Sequence, residues 1–71
     1  MRPKAITLKQ LRALAAIVEY GSITAAAQAL NVTPPAVSTQ LKSLEDCIGA
    51  RSMHRGPDGK VALTPVGQEL L

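Results

Sequence analysis

Residues 21–42 read GSITAAAQALNVTPPAVSTQLK, and this stretch contains two helix beginnings that decide the fold. Ser22 is a good capping residue before the alanine-rich run Ile23–Leu30, whose composition favours a helix. Thr33 caps the next helix, because the two prolines after it occupy positions where the amide has no intrahelical partner. Only residues 31–33 separate the two helices, and this short connection is typical of a helix-turn-helix.

The helix that begins after Thr33 has two chemically different sides. Apolar residues at steps of four, three and four form a stripe that we expect to be buried: Val37, Leu41, Leu44 and Ile48. The opposite side carries small or polar residues: Pro35, Ser38, Thr39, Lys42 and Asp46. Gly49 is expected to end the helix in a left-handed conformation.

A further helix is predicted before this stretch, after a basic arm at residues 1–6. Thr7 and Gln10 have the spacing of a capping box, and Gly21 supplies the stop. The predicted buried face of this helix is Leu8, Leu11, Leu14, Ala15 and Val18.

A β-hairpin is predicted after Gly49, with strands at residues 51–55 and 60–63 joined by the turn sequence Gly-Pro-Asp-Gly. Thr64 and Pro65 then repeat the cap-and-proline start of a helix. The expected fold is mostly α: a winged helix-turn-helix with a three-helix core, a two-stranded wing and the start of a fourth helix. We expect the winged helix-turn-helix domain to span 7–63, and 64–71 to be the truncated start of the fourth helix in a longer parent polypeptide.

Composition narrows the function classes. The chain has 71 residues, a net charge of +3 and a pI near 9.5, a balance that favours anionic partners. A single cysteine, Cys47, and no visible leader or long apolar run indicate a cytoplasmic protein with no membrane partner. Cys47 is expected to be a small buried hydrophobe rather than a redox sensor. With His54 it would supply only two metal ligands, too few for a structural zinc site, so neither metal, cofactor nor catalysis is expected.

Short segments at consistent spacing run through most of the chain: Leu11–Leu14, Gly21–Ala27, Leu30, Thr33–Ser38, Gln40-Leu41, Leu44-Glu45, Ile48-Gly49, Arg55, Leu63-Thr64 and Gly67. Together they resemble the N-terminal signature of LysR-type transcriptional regulators of bacteria. The resemblance implies a double-stranded DNA partner, a homo-oligomer in the full-length protein, and a small-molecule effector bound by a separate C-terminal domain absent from this chain.

The chain departs from that family pattern at three places. The family usually has Phe near Leu14 and a Leu-Phe pair where Ser52 and Met53 stand here. Met53 has the size to occupy the Phe space, whereas Ser52 cannot replace a leucine, so we expect a less secure wing. The recognition helix often has Arg where this chain has Thr39, which implies a different base preference.

Groove geometry suggests which residues contact DNA, because a major groove admits one helix and distinguishes all four base pairs. The predicted base contacts lie at the start and outer side of the third helix: Thr33, Pro34, Pro35, Ser38 and Thr39. The predicted phosphate contacts lie on the second helix, the third helix and the wing: Ser22, Thr24, Lys42, Arg55 and Lys60. His54 is a further wing candidate, and Ser22 can serve as a helix cap at the same time.

Two other interpretations remain open. The basic residues can form an ordinary solvated surface. The winged helix can also be a protein-interaction module, which would present an exposed apolar patch instead of a face of hydroxyls and lysine. Salt-dependent DNA binding separates that module from a DNA-binding domain.

Overall fold

The computed structural model describes residues 6–57 and 61–71. Four helices and two strands follow one another in the predicted order: α1 (Leu8–Tyr20), α2 (Ile23–Leu30), α3 (Pro34–Ile48), β1 (Met53–Arg55), β2 (Val61–Leu63) and α4 (Pro65–Leu70). The predicted winged helix-turn-helix is therefore confirmed. Residues 1–5 of the predicted basic arm (1–6) and residues 58–60 lie outside the described residues.

The ends of α1 follow from local chemistry. Thr7 and Gln10 form the predicted capping box, in which the Gln10 amide donates to Thr7 Oγ1 at 3.2 Å and the Thr7 amide donates to Gln10 Oε1 at 3.0 Å. Gly21 ends the helix at a φ of 87°, where its amide donates to the Ile17 carbonyl. A residue with a side chain would be strained in this left-handed conformation.

The predicted buried face of α1 was wrong in its rotation about the helix axis. Leu8 is 64% exposed and Ala15 is exposed, while Leu11 and Val18 are only half-buried. Leu14 is buried as predicted, but the other apolar residues of the buried face are Ala13, Ala16 and Ile17. The small residues Ala13 and Ala16 face inward because α1 packs against both α2 and α3, and alanine lets helix backbones approach closely. A sequence apolar on most sides does not reveal that requirement.

The helix-turn-helix formed by α2 and α3 agrees with the sequence in its details. Ser22 Oγ accepts the Ala25 amide at 3.0 Å at the start of α2, and Asn31 ends α2 with a φ of 58°. Thr33 Oγ1 accepts the Ala36 amide at the start of α3, and Gly49 ends α3 at a φ of 68°. The core between α1, α2 and α3 is built from small and branched residues: Ala13, Leu14, Ala16, Ile17, Ala26, Ala27, Val37, Leu41 and Leu44.

The wing is an antiparallel pair of short strands. Met53 lies opposite Leu63, His54 opposite Ala62, and Arg55 opposite Val61. The predicted first strand began two residues too early. Arg51 and Ser52 are not in the strand because part of their backbone hydrogen bonding goes to the side chains of Glu45 and Thr64. The predicted turn residues 58–59 and Lys60 lie outside the described residues.

The last element, α4, begins as predicted at Thr64, whose Oγ1 accepts the Gly67 amide at 3.1 Å. Gly67 is buried against the wing. Among the described residues, no single helix has the length and hydropathy of a membrane span, and only α1 and α2 together, bent by 118°, reach them.

Candidate nucleic-acid interface

The outer side of α3 has the orientation that the sequence predicts. Val37 and Leu44 are almost completely buried, at 1% and 0% exposure. The predicted base-contacting residues are all exposed: Thr33, Pro34, Pro35, Ser38 and Thr39. Lys42 and Asp46 are exposed further along the helix. Ile48, the last residue of α3, was predicted to be buried but is only half-buried. The exposed residues in the first two turns of α3 therefore have side chains no larger than proline or threonine, so another molecule can approach the helix backbone closely on this side.

The start of α2 holds two of the predicted phosphate contacts. Thr24 is exposed and Ser22 is half-buried. The Ser22 oxygen accepts the Ala25 amide, and its O–H can still donate a hydrogen bond to an acceptor such as a phosphate oxygen. The first turn of α2 contains no acidic residue, which leaves the positive end of the helix dipole uncompensated.

The wing presents its basic residues to solvent. His54 and Arg55 are exposed on β1, whereas Met53 at the start of the strand is 6% exposed and belongs to the core cluster. The buried methionine fixes the base of the wing, as expected if it occupies the space of a larger apolar side chain. Lys60, the other predicted wing contact, lies outside the described residues.

Sequence reasoning missed the role of Ser52. The side chain is 0% exposed, and both its amide and its hydroxyl donate to Glu45 Oε2, at 2.8 Å and 3.1 Å. Arg51 lies beside the same carboxylate, with Nε at 3.5 Å from Oε2. Compared with a leucine, Ser52 lacks apolar packing, but its hydroxyl adds one hydrogen bond to a charged acceptor, and such a bond is stronger than a neutral one. The available signal was that a small polar residue at a buried position needs a partner, although nothing in the sequence pointed to Glu45 in particular.

The residues that the sequence offered for metal or redox chemistry are Cys47 and His54. Within 6–57 and 61–71, no group of three or more His, Cys, Asp or Glu side chains is placed to hold a metal ion. Cys47 is half-buried on α3, so it is less buried than the sequence suggested.

Most of the chain matches the profile of a known protein family. The profile described as "Bacterial regulatory helix-turn-helix protein, lysR family" matches residues 8–68. The chain belongs to the LysR family. It is a LysR-type helix-turn-helix DNA-binding domain, in a family of transcriptional regulators rather than enzymes.

Individual LysR-family relatives agree with this assignment. The chain is 47% identical over 58 residues to the HTH-type transcriptional regulator CbbR of Cereibacter sphaeroides, covering 82% of this chain and 19% of CbbR. It is 62% identical over 40 residues to the regulator LysG of Mycobacterium tuberculosis, covering 56% of this chain and 13% of LysG. The chain thus spans about a fifth or less of the length of these relatives.

Solved structures resemble this LysR-type domain closely. An OxyR mutant of Corynebacterium glutamicum matches with a TM-score of 0.90 and 34% identity, over 99% of this chain and 22% of that one. The structure titled "Crystal structure of CbnR_DBD-DNA complex" matches with a TM-score of 0.80 and 31% identity, over 92% of this chain and 74% of that one.

Proposed function

We propose that this chain binds double-stranded DNA sequence-specifically, as the DNA-reading domain of a LysR-type transcription regulator, with α3 in the major groove. The observation that carries the proposal is that Ser38 and Thr39 are exposed on α3, while the apolar stripe that includes Leu44 is buried. The similarity to a domain whose structure is titled as a DNA complex supports double-stranded DNA as the partner.

Base recognition falls to the short side chains at the start of α3. Hydroxyls of Ser38 and Thr39 can donate to or accept from base edges, which in the major groove differ among all four base pairs. The methyl group of Thr33 and the rings of Pro34 and Pro35 are apolar surfaces suited to thymine methyl groups. Because these side chains are small, α3 can lie deep in the groove.

Phosphate contacts surround this reading surface and fix its position on the duplex. Ser22 and Thr24 offer hydroxyls at the positive end of the α2 dipole, where phosphate is favoured. Lys42 supplies a charge on α3, while Arg55 and Lys60 supply charges on the wing, toward the backbone or the minor groove. Ser22 acts both as the cap of α2 and as a hydrogen-bond donor to phosphate.

At the level of the whole regulator, residues 7–63 form the DNA-binding domain and 64–71 belong to a linker helix. The regulator acts as a homo-oligomer in the cytoplasm and binds a small-molecule effector through a domain outside this chain. Val66 and Leu71 are exposed on or beside α4, and they offer apolar area to a second copy. So short a segment is expected to leave the 71-residue chain mainly monomeric, since specific interfaces bury at least about 1,000 Å².

The experiment begins with a pool of random duplexes from which the 71-residue chain selects its preferred sequence. Ser38→Glu is then compared with the wild type on the enriched duplex, and Gln68→Glu is the matched control, because it adds the same charge at an exposed position of α4. We expect Ser38→Glu to weaken binding by about 100-fold, since like charges at an interface cost several kcal/mol. Gln68→Glu should stay within a few-fold of wild type, and both should keep the wild-type circular dichroism spectrum. Unchanged affinity in a folded Ser38→Glu protein would exclude the proposed orientation.

A protein-interaction module is the second candidate function, and one feature favours it. A cavity of about 350 Å³ between α1 and the helix-turn-helix is lined by exposed apolar residues, including Leu30 and Val32, with Lys9 and Arg12 also in its lining. If no duplex is enriched, or if duplex affinity is independent of salt, this cavity becomes the better candidate for the functional site, and its partner would be a protein.

A further inference from the structure

Five residues outside the proposed DNA contacts join three elements of the fold. Glu45 lies on α3, Arg51 and Ser52 precede β1, and Thr64 and Gly67 begin α4. We call these five residues the wing junction.

The first half of the wing junction connects α3 to the start of the wing. Glu45 Oε2 accepts the amide of Ser52 at 2.8 Å and its hydroxyl at 3.1 Å. The Glu45 side chain is 17% exposed and Ser52 is fully buried, so water competes little for these hydrogen bonds. The Arg51 side chain is 72% exposed, so its guanidinium, with Nε at 3.5 Å from Glu45 Oε2, contributes only a solvated charge.

The second half connects the same residues to α4. The Thr64 amide donates to the Ser52 carbonyl at 3.1 Å, and Thr64 Oγ1 donates to the Arg51 carbonyl at 2.6 Å. Gly67 packs so closely that an added Cβ would lie 1.9 Å from the Ser52 carbonyl oxygen. The backbone at Ser52 is therefore held from both sides.

The wing needs such an external anchor. A two-stranded hairpin is only marginally stable by itself in water, and each strand here has three residues. Met53 buries apolar surface at the base of β1, but apolar contact has no preferred direction. The hydrogen bonds from Ser52 to Glu45 are directional, and they occur immediately before β1 begins.

We infer that Glu45 is a positioning residue, which acts through Ser52 to set the wing and α4 at a fixed orientation to the recognition helix. Arg55, three residues after Ser52, then reaches the DNA backbone while the start of α3 lies in the groove. The consequence for DNA rests on the proposed function, whereas the structural coupling does not.

Amide hydrogen exchange tests the coupling without DNA. Glu45→Ala removes the acceptor, and Asp46→Ala is the matched control, because it removes the same charge from the next, exposed position of α3. Glu45→Ala should accelerate exchange of the Ser52 and Thr64 amides at least about tenfold more than that of the core amide of Leu44, although Thr64 does not bond to Glu45. Asp46→Ala should leave all three unchanged, and Glu45→Gln, which keeps an acceptor oxygen, should restore most of the protection. Equal acceleration at Leu44, or wild-type exchange at Thr64, would overturn the inference.

Salt dependence tests the consequence for DNA on the enriched duplex. Arg55→Ala should make the slope of log affinity against log salt shallower by about one in the wild-type background. In the Glu45→Ala background the same substitution should change the slope by less than half as much. An equal effect of Arg55→Ala in both backgrounds would overturn the positioning role. If Glu45→Ala does not fold, Ser52→Ala replaces it in both experiments, with changes in the same direction but smaller, because it removes the hydroxyl hydrogen bond to Glu45 and keeps the amide one. If the wild-type chain binds no duplex, the proposed function fails while hydrogen exchange still decides the coupling.

Discussion

The two ends of α3 differ in where their side chains bond. At the N-terminal end, the capping residue Thr33 accepts the Ala36 amide of the same helix at 3.3 Å. Near the C-terminal end, Glu45 accepts the amide of Ser52, which lies outside the helix, seven residues further along the chain. The N-terminal end is exposed and presents small side chains to a partner. The C-terminal end is packed against the wing and the start of α4. One helix thus has an end free to enter a groove and an end that holds the rest of the domain in position.

Among the substitutions considered, Gly67→Ala should destabilise the domain most, because it disturbs the packing of α4 on Ser52. The new Cβ would lie 1.9 Å from the Ser52 carbonyl oxygen, which is backbone and cannot move aside alone. We expect a loss of about 3 kcal/mol in the free energy of unfolding, the upper range for overpacking. Thermal denaturation should show a fall in Tm of at least about 12 °C.

Gly49→Ala is the matched control for that substitution. Apart from the two residues that flank Gly49, no heavy atom of the described residues lies within 4 Å of a Cβ built there, so the cost is only the strain of a left-handed φ of 68°, about 1 kcal/mol. If Gly67→Ala costs no more than Gly49→Ala, the close packing of α4 on Ser52 is wrong.

The difference between the two ends also explains which features the sequence could predict. Helix caps and helix ends are local signals. The predicted caps at Thr7, Ser22, Thr33 and Thr64 and the predicted helix ends at Gly21 and Gly49 are confirmed. The exposed face of α3 followed from helical periodicity because its apolar stripe is narrow.

Features that depend on distant residues were not predictable in the same way. The buried face of α1 depends on how closely α2 and α3 approach Ala13 and Ala16, which the pattern of apolar residues does not encode. The strand start at Met53, rather than at residue 51, depends on hydrogen bonds between Ser52 and Glu45. The contacts with DNA themselves stay predictions.

Thr39→Arg tests whether the exposed end of α3 reads DNA bases. An arginine at this exposed position on α3 can make a bidentate contact with guanine, worth about 1–3 kcal/mol of discrimination against other bases. Selection from random duplexes should then enrich guanine at one position of the site where the wild-type chain does not. Asp46→Arg, also exposed on α3 but further from its start, is the control and should raise affinity without a new base preference. An unchanged preferred sequence for Thr39→Arg would place this residue away from the bases.

Ser52→Ala tests the held end of α3 by a smaller change. It deletes the hydroxyl that donates to Glu45 at 3.1 Å and leaves the backbone hydrogen bond in place. Because the side chain is fully buried and the acceptor is charged, we expect a loss of about 1.5 kcal/mol in urea denaturation. A loss below about 0.5 kcal/mol would mean that the hydroxyl contributes little to the wing junction.

Thr33→Ala is the corresponding change at the free end and should have the smallest effect. The cap is exposed and its hydrogen bond is long, at 3.3 Å, so the cost should be near the low end for helix caps, about 0.5 kcal/mol. Urea denaturation under the same conditions as for Ser52→Ala gives the comparison. A larger loss for Thr33→Ala than for Ser52→Ala would reverse the proposed difference between the two ends.

If the exposed end of α3 enters the major groove, an NMR titration of the 71-residue chain with its enriched duplex will locate the contact on that end. We predict that the largest amide shift changes occur at Ser38, Thr39 and Lys42, with a second group at Arg55 in the wing. The amides of Lys9 and Val32, which line the cavity between α1 and the helix-turn-helix, should change less. Shift changes concentrated around that cavity, with Ser38 and Thr39 unaffected, would contradict binding through α3.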